Sequence, residues 1–277
     1  MTRSGLKPFL TDSARKTDRA LQSILTTARA TGTLKKALVY SLFPGGKRFR
    51  PALFMAAYQA LRGKEEKAWR PAASLELAHT FTLLQDDLPP FDDDDYRRGK
   101  PTVHRKFSES TAILASDILL LLALRAIATS EFSSEIRGQG AVELADALGA
   151  AGVIGGQFDD LEIRTARLTI SHLLEVNRRK TGALMKGASR LGATFAGATE
   201  DDIKALGHYG ECVGMAFQIA DDLADNQNEH RLRRSKISMG RLRKAADAYV
   251  EKAVGFARPY RSKTLDSLAD FALHRTC

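Results

Sequence analysis

Six aspartates fall within ten residues of the segment DDLPPFDDDDYRRGK, residues 86–100. Carboxylates this close together repel one another strongly, so the cluster does not stabilise the fold by itself. A bound divalent cation would stabilise the cluster, because hard cations such as Mg²⁺ take oxygen ligands and commonly share them with substrate phosphates. The arginines and the lysine that follow suit the same substrate, since guanidinium groups grip phosphate oxygens. The segment predicts a metal–diphosphate site, and the alternative is an acidic surface loop followed by a basic one.

A second acidic cluster, in the segment FQIADDLAD, places Asp221, Asp222 and Asp225 behind an apolar lead. Residues four apart share a face of a helix, so Asp221 and Asp225 point the same way. Apolar helical patterns precede both clusters, LELAHTFTLL in the first case and CVGMAFQIA in the second. We expect two helices to carry carboxylates into a common cavity around a diphosphate. One DDxxD motif is a weak signal, whereas two in this setting are a strong one.

Five motifs follow one another along the chain: GGKRFRP at 45–51, DDLPPFDDDDYRRGKPT at 86–102, GGQ at 155–157, KTG at 180–182 and FQIADDLAD at 217–225. In this order they resemble the trans-isoprenyl diphosphate synthases, the chain-elongating polyprenyl synthetases. The resemblance extends from about residue 34 to the C-terminus. It implies that an allylic diphosphate ionises to a carbocation, that the double bond of isopentenyl diphosphate attacks it, and that the chain grows by five carbons.

The resemblance also implies roles for individual residues. Metal ligands are expected from both motifs, with Asp87, Asp222 and Asp225 in the weaker or supporting positions: Asp86, Asp87, Asp92, Asp221, Asp222 and Asp225. Arg97 and Lys180 are expected to hold the allylic diphosphate. The diphosphate of isopentenyl diphosphate is assigned to Lys47, Arg50, His79 and Arg98. Thr181 and Gln218 carry oxygens that face the carbocation. The family expectation is three Mg²⁺ ions, with Mn²⁺ as an alternative, and the departing pyrophosphate as the proton acceptor.

Most of these residues also have a structural interpretation. Lys47 and Arg50 are compatible with surface cations, although the Gly-Gly turn before them allows close approach to an anion. His79 on an apolar helix is compatible with a core histidine. Lys180 is compatible with a side chain that reaches solvent along a helix, and Gln218 with a hydrogen bond in the core. For Gln157 in the GGQ motif we expect a structural role in the contact between helices.

The residues just before the first aspartate pair form the floor of the product pocket in this family. Here Phe81 lies five residues before Asp86 and Thr82 four before it, and the first motif contains Pro89–Pro90. A large aromatic side chain at that position limits product length by excluding volume. The pattern resembles bacterial farnesyl diphosphate synthases, so farnesyl diphosphate is the expected main product. A geranylgeranyl product, with Phe81 merely packed in the core, is the alternative.

The sequence departs from the family pattern in two places. Gln85 stands where a histidine is common, and it still offers hydrogen bonds. The segment after Asp225, NQNEHRLRRSKISMG, is shorter than is usual in the family. It also lacks the Gly-Lys pair whose lysine reaches the allylic diphosphate in the family. Candidate replacements for that lysine are Arg233, Arg234 and Lys236. This second departure motivates another hypothesis, a non-catalytic partner subunit of a related synthase. A terpene cyclase is a third, disfavoured because a cyclase has no isopentenyl diphosphate for GGKRFRP to bind.

Helix-period patterns recur along the 277 residues, and alternating strand patterns are scarce. We expect an all-α, single-domain helical bundle of the isoprenoid-synthase type around a central active-site cavity, residues 1–277, with 1–33 as an N-terminal helical lead-in. Helices are predicted at 14–30, 34–41, 51–61, 71–87, 108–130, 138–163, 171–193, 200–227, 237–255 and 262–273.

The net charge of +9 raises the question of nucleic-acid binding. The basic patch RLRRSK has few aromatic neighbours and no binding motif, so none is expected. The longest apolar stretch, residues 112–128, is interrupted by Asp117 and Arg125 and is predicted to be a core helix rather than a stable membrane span. Two cysteines give no disulfide framework, and no secretory h-region is apparent. We expect a cytoplasmic protein, and a homodimer by family resemblance.

Overall fold

The structure, a computed structural model, describes residues 3–43, 45–62, 66–163, 169–224 and 238–274, with the backbone alone for residues 3, 4 and 163. These residues are almost entirely α-helical, and they include one two-stranded antiparallel sheet. The all-α fold predicted from the sequence is confirmed.

The regular elements have the following bounds. The α-helices are α1 (Arg3–Thr26), α2 (Gly32–Leu42), α3 (Phe49–Arg62), α4 (Trp69–Asp86), α5 (Val103–Lys106), α6 (Glu109–Ala128), α7 (Ser134–Leu148), α8 (Val153–Ile163), α9 (Ile170–Asn177), α10 (Ala183–Phe195), α11 (Glu200–Ala224), α12 (Met239–Ala257) and α13 (Lys263–His274). The strands are β1 (Tyr96–Arg97) and β2 (Lys100–Pro101). Short 3₁₀ segments span Glu66–Ala68 and Arg258–Tyr260, and a π-helical segment spans Arg178–Gly182.

The chain divides into two compact units. Unit A comprises Leu10–Ala52 and Glu66–Ala141, and unit B comprises Met1–Phe9, Leu53–Glu65 and Val142–Cys277. The first aspartate motif lies in unit A and the second in unit B. The single-domain organisation and the common cavity stay predictions.

Helix α4 is the buried centre of unit A, where it packs along α6 and contacts α2. Its Ala- and Leu-rich sequence favours a helix and fills the core. Three buried hydroxyl side chains on it, Ser74, Thr80 and Thr82, donate hydrogen bonds to carbonyls of the same helix at 2.6–2.8 Å. Polar groups on this buried helix are thereby satisfied. The helix delivers Asp86 at its last position.

Helix α6 has two unlike faces. One face is buried, and α6 packs against α4 through residues that include Ala115, Leu119 and Ala123. Ile113, Leu114 and Leu121 stay 47%, 54% and 64% exposed. Among the described residues it is the one helix whose length and apolar composition would allow it to cross a membrane, a criterion that a core helix of a globular protein also meets. The prediction of a core helix therefore holds for one face of α6, and the opposite apolar face is exposed.

Unit B is organised around α11, which packs against α10, α12 and α13. An apolar cluster at this junction joins Leu173, Ile219, Leu242 and Ala246, all buried. The buried Tyr209 hydroxyl donates to the Leu265 carbonyl at 2.8 Å and ties α11 to α13. These contacts fix the helix that carries Asp221 and Asp222.

Three local features differ from the predicted elements. The helix predicted over 138–163 is broken between α7 and α8, where Gly149 and Gly152 lie within four residues of each other; glycine has a low helix propensity. The helix predicted over 171–193 is interrupted by the π-helical segment. The hairpin β1–β2 was not predicted, because two-residue strands are too short to show an alternating pattern.

Candidate active site

The GGKRFRP loop is anchored by Arg48, a buried residue that sequence reasoning missed. Its guanidinium donates to Glu76 Oε1 at 2.7 Å, to Asp18 Oδ1 at 2.9 Å and to the Leu42 carbonyl at 2.6 Å. These three partners tie the loop to α1, α2 and α4. Lys47, by contrast, is exposed. In sequence Arg48 looks like its cationic neighbours, and only burial separates an anchoring cation from a candidate ligand-binding one.

The aspartate-rich segment folds back as a tight turn after α4. Pro89 and Pro90 prevent the helix from continuing. The Asp92 amide donates to the Asp86 carbonyl at 2.9 Å, and the Asp93 amide donates to the Leu88 carbonyl at 3.2 Å. The turn therefore brings Asp92 back to the end of α4 beside Asp86.

The second aspartate of the first motif is held inside the protein. Asp87 is 4% exposed, and its Oδ1 accepts a hydrogen bond from Arg97 Nε at 2.5 Å. Arg97 also donates to Asp94 Oδ2 at 3.1 Å. Burial raises the pKa of Asp87, and the Arg97 guanidinium opposes that rise. Asp87 is thus engaged with a cation that the sequence assigned to the allylic diphosphate, which suits a supporting role rather than direct metal ligation.

The hairpin β1–β2 brings Arg98 to the GGKRFRP loop. Its two-residue turn, Arg98–Gly99, has φ values of 52° and 74°, as a type I′ turn requires. The Arg98 guanidinium donates to the Gly45 carbonyl. A Cβ at Gly46 would lie 2.8 Å from Arg98 Nη1, so a side chain there would displace the Arg98 guanidinium. Two motifs 53 residues apart thus meet in unit A.

His79 is half-buried on α4 within the electrostatic reach of these cations. Burial, followed by the nearby Arg50 and Arg98, holds the pKa of His79 well below its usual range. A neutral imidazole results at neutral pH. If His79 meets a diphosphate, it does so as a hydrogen-bond donor rather than as a further positive charge.

The carboxylates of the first motif suit a hard divalent cation. Asp86 is half-buried and Asp92 is exposed, so both carboxylates at the end of α4 are in reach of solvent. Mg²⁺ usually takes one or two protein carboxylates and completes its shell with water and substrate phosphates. Across the described residues, no three His, Cys, Asp or Glu side chains are grouped as a complete metal site. The donor set fits a cation that a diphosphate helps to hold.

In unit B, α8 approaches the π-helical segment at backbone distance. A Cβ at Gly156 would overlap the backbone nitrogen of Lys180, so only glycine allows this contact. Two ion pairs flank it: Arg179 with Asp159, and Lys180 Nζ with Asp160 Oδ2 at 3.1 Å. Sequence reasoning missed both carboxylates, although they lie two and three residues after the GGQ motif. Asp160 pairs with the cation that is predicted to hold the allylic diphosphate, Lys180, and Asp159 pairs with its neighbour Arg179.

A buried network of amides surrounds the second aspartate motif. Asp222, 6% exposed, accepts from Asn177 Nδ2 at 2.7 Å and from Gln218 Nε2 at 2.9 Å. The Thr181 hydroxyl donates to Gln218 Oε1 at 2.8 Å. Both carboxylate oxygens of Asp222 are therefore engaged by neutral donors, which suits the supporting role expected of it. Asn177 was missed, and its only sequence signal is that it precedes KTG by three residues.

The remaining predicted residues are placed as follows. Asp221 is exposed on α11. Both polar atoms of the Gln157 amide are buried and have no hydrogen-bond partner among the described residues. Asp225 and the candidate lysine replacements Arg233, Arg234 and Lys236 lie outside the described residues. Phe81 and Thr82 are buried on α4. The assignment of the site residues stays a prediction.

Comparison with known proteins identifies the family. The polyprenyl synthetase family model matches residues 31–236. The chain is 39% identical over 225 residues to the farnesyl diphosphate synthase of Bacillus subtilis (strain 168), covering 79% of this chain and 75% of that one. It is 36% identical over 222 residues to geranylgeranyl pyrophosphate synthase 4 of Arabidopsis thaliana, covering 79% of this chain and 59% of the relative. The chain therefore spans about three fifths of the Arabidopsis relative's length.

Solved structures agree with this assignment. An FPP/GFPP synthase from Zymomonas mobilis superimposes with a TM-score of 0.90 at 31% identity, covering 98% of this chain and all of the other. A geranyltransferase from Legionella pneumophila gives a TM-score of 0.88 at 27% identity, covering 99% of this chain and 98% of the other. Given the match over most of its length, the chain belongs to the polyprenyl synthetase family.

Proposed function

We propose that this protein is a farnesyl diphosphate synthase, which joins isopentenyl diphosphate to dimethylallyl diphosphate and then to geranyl diphosphate. Family membership supports the reaction, since members act on isopentenyl and allylic diphosphates. The observation that carries the fifteen-carbon product is Phe81, a large side chain that is 2% exposed and lies five residues before Asp86.

The binding roles follow the chemistry of the two units. In unit A, Lys47, Arg50, Arg98 and His79 receive the diphosphate of isopentenyl diphosphate. The meeting of Arg98 with Gly45 and the cationic surroundings of His79 support this role. In the proposed complex Arg97 and Lys180 hold the allylic diphosphate. In this structure each is paired with a carboxylate, Arg97 with Asp87 and Lys180 with Asp160. The diphosphate oxygens compete with those carboxylates for the cations.

The reaction needs little protein acid–base chemistry. The C–O bond of the allylic diphosphate breaks and the leaving diphosphate takes both electrons. The double bond of isopentenyl diphosphate forms the new C–C bond, and the proton lost next passes to the pyrophosphate. When bound at Asp86, Asp92 and Asp221, Mg²⁺ would neutralise the charge that develops on the leaving group. Arg97 and Lys180 stabilise the same charge from fixed positions.

Thr181 and Gln218 serve the cationic side of the reaction. The Thr181 hydroxyl donates to Gln218 and Gln218 donates to Asp222, so each dipole is oriented by the next partner. Fixed dipoles that need no reorganisation stabilise a developing charge better than mobile water. The negative charge of Asp222 at the end of this series favours a positive charge at its beginning. In this role Asp222 is a positioning residue.

Product analysis tests the proposal. Purified protein is incubated with Mg²⁺, labelled isopentenyl diphosphate and either dimethylallyl or geranyl diphosphate, and the dephosphorylated products are resolved by carbon number. A fifteen-carbon product from both primers is expected. Phe81→Ala should shift the distribution toward longer products, because the pocket floor is removed. Leu83→Ala on the same helix is the matched control and should leave it unchanged. Equal product lengths in wild type and Phe81→Ala contradict the pocket-floor role.

The same product assay also distinguishes two alternative functions. A twenty-carbon product from the wild type would identify a geranylgeranyl diphosphate synthase, the activity named for several Arabidopsis relatives. The absence of product from folded protein would favour a non-catalytic partner subunit, as the altered sequence after Asp225 suggests. One relative is named the large subunit of a heterodimeric geranylgeranyl pyrophosphate synthase. Adding a related synthase and recovering activity would then identify that role.

A cytoplasmic homodimer is part of the proposal. The exposed apolar residues of α6, Ile113, Leu114 and Leu121, support an interface, because exposed apolar patches commonly mark protein contacts. Light scattering on purified protein measures the mass directly. A mass of one chain at micromolar concentration would contradict the dimer, and Leu121→Glu should lower the mass if α6 forms the interface.

A further inference from the structure

A cavity of about 480 Å³ opens between the end of α1 and α2, within unit A. Its volume lies in the range of small-molecule sites. None of the residues predicted to bind metal or diphosphate lines it. The lining residues are Gln22, Leu25, Thr26, Ala28, Arg29, Ala30, Lys35, Leu38, Val39 and Phe43.

The walls and the charged residues of this cavity have different chemistry. Leu25, Leu38, Val39 and Phe43 give it an apolar interior, and Val39 remains 43% exposed without a ligand. Arg29 and Lys35 are the charged residues of the lining, which contains no Asp or Glu. Within the described residues, neither cation makes a side-chain hydrogen bond or ion pair. An apolar volume with two unpaired cations complements an apolar chain that ends in an anion.

Arg29 lies just after the end of α1 and has a φ of 51°. A left-handed residue commonly ends a helix, so the helix end explains this conformation. The same turn places Arg29 in the lining of the cavity.

We propose that the α1–α2 cavity is a second ligand site, separate from the diphosphate site, that binds an anionic amphiphile: a single apolar chain ending in a carboxylate or phosphate. The chain packs against Leu25, Leu38 and Phe43, and the head group pairs with Arg29 and Lys35. The site does not depend on the proposed reaction, so it survives if the enzyme makes a different product.

Calorimetric titration with decanoate tests the site on the full chain. Saturating Mg²⁺ and inorganic pyrophosphate occupy the diphosphate site throughout. Wild-type protein should bind one equivalent of decanoate. Acetate, which lacks the chain, and 1-decanol, which lacks the charge, should each bind at least about tenfold more weakly, a loss of one RT ln 10 step. Decyl phosphate under the same block shows whether a phosphate head is preferred to a carboxylate.

Matched variants separate the cavity from the general surface. Lys35→Ala should weaken decanoate about fivefold, whereas Lys36→Ala, one residue away and outside the lining, should change it by less than about twofold. Leu38→Trp should abolish binding by filling the cavity. Arg29→Gly should raise the melting temperature by relieving strain and still weaken decanoate, a combination that a merely structural arginine does not produce. Circular dichroism confirms that each variant is folded.

Several results would overturn the proposal. Equal effects of Lys35→Ala and Lys36→Ala would show that the cation has no specific role. Loss of decanoate binding under the pyrophosphate block would place the ligand in the substrate site. A lower oligomeric mass for Leu38→Trp by light scattering would show that a second copy of the chain covers this surface instead.

Discussion

The two aspartate motifs share a sequence pattern and differ in their surroundings. Asp87 in the first motif is buried against the Arg97 guanidinium on a turn that two prolines force out of α4. Asp222 in the second motif is buried against the amides of Asn177 and Gln218 on the continuous helix α11. The Asp87 carboxylate is therefore paired with a cation, whereas the Asp222 carboxylate accepts hydrogen bonds from two neutral amides. The stability contributed by the Asp87–Arg97 ion pair should therefore depend on ionic strength. The stability contributed by the amide hydrogen bonds to Asp222 should depend on their geometry instead.

The largest effect is expected at the turn of the first motif. Asp92→Asn removes a carboxylate that we propose as a metal ligand beside Asp86, and kcat/KM with Mg²⁺ should fall by at least about 100-fold, as for loss of one charge-stabilising group. Asp93→Asn is the matched control, because asparagine tolerates its left-handed φ of 50°. Steady-state kinetics on both variants gives the comparison. Equal losses would show that the turn acts through its total charge rather than through Asp92.

The close contact between α8 and the π-helical segment should give the next largest effect, on the free energy of unfolding. Gly156→Ala places a Cβ against the Lys180 backbone, and urea unfolding should show a loss of about 2–3 kcal/mol from overpacking. Gly138→Ala on α7, which meets no atom within 4 Å, should stabilise the protein by about 0.5–1 kcal/mol. Similar effects at both glycines would contradict the tight contact between α8 and the π-helical segment.

The contributions of Arg97 and Asn177 to the free energy of unfolding should differ in their dependence on salt. Asn177→Leu removes a donor to the buried Asp222 carboxylate and should cost about 2 kcal/mol at any ionic strength. Arg97→Ala should cost about 1 kcal/mol, because Arg97 is about one third exposed. That cost should shrink in about 1 M NaCl, where charges are screened. Urea unfolding at low and high salt measures both variants, and an equal salt response would remove the distinction drawn between the motifs.

The smallest effect concerns pH and His79. The folded protein disfavours the protonated imidazole, whereas the unfolded chain binds a proton near pH 6.5. Below that pH the unfolded state binds more protons, so the free energy of unfolding falls as pH falls, by at most about 1.4 kcal/mol per pH unit. His79→Gln should flatten this slope between about pH 7 and 5.5. The raised pKa of Asp87 has the opposite sign and acts at lower pH, above the ordinary carboxyl value of 3.8. An unchanged slope would show that His79 is not the group responsible.

Helix existence was predictable where the apolar period is long, as in α4, α6 and α11. The failures have two causes. The break between α7 and α8 falls at Gly149 and Gly152, whose low helix propensity is visible in the sequence. The π-helical segment lies at the backbone contact of Gly156 with Lys180, which is not visible there. Propensity and periodicity are properties of one segment, and they carry no information on how closely a second backbone approaches.

The sequence by itself determined the family and the helical class, because the order of the motifs and the apolar helical period are recognisable from residue types alone. The chemistry of the site stays a prediction from the same motifs. Only the tertiary structure decided which charges are anchors. Arg48 is buried against Glu76 while Lys47 is exposed, and Asp159 and Asp160 pair with Arg179 and Lys180. Burial and pairing depend on residues distant in sequence, and the same side chain is a ligand group in one surrounding and a structural ion pair in another.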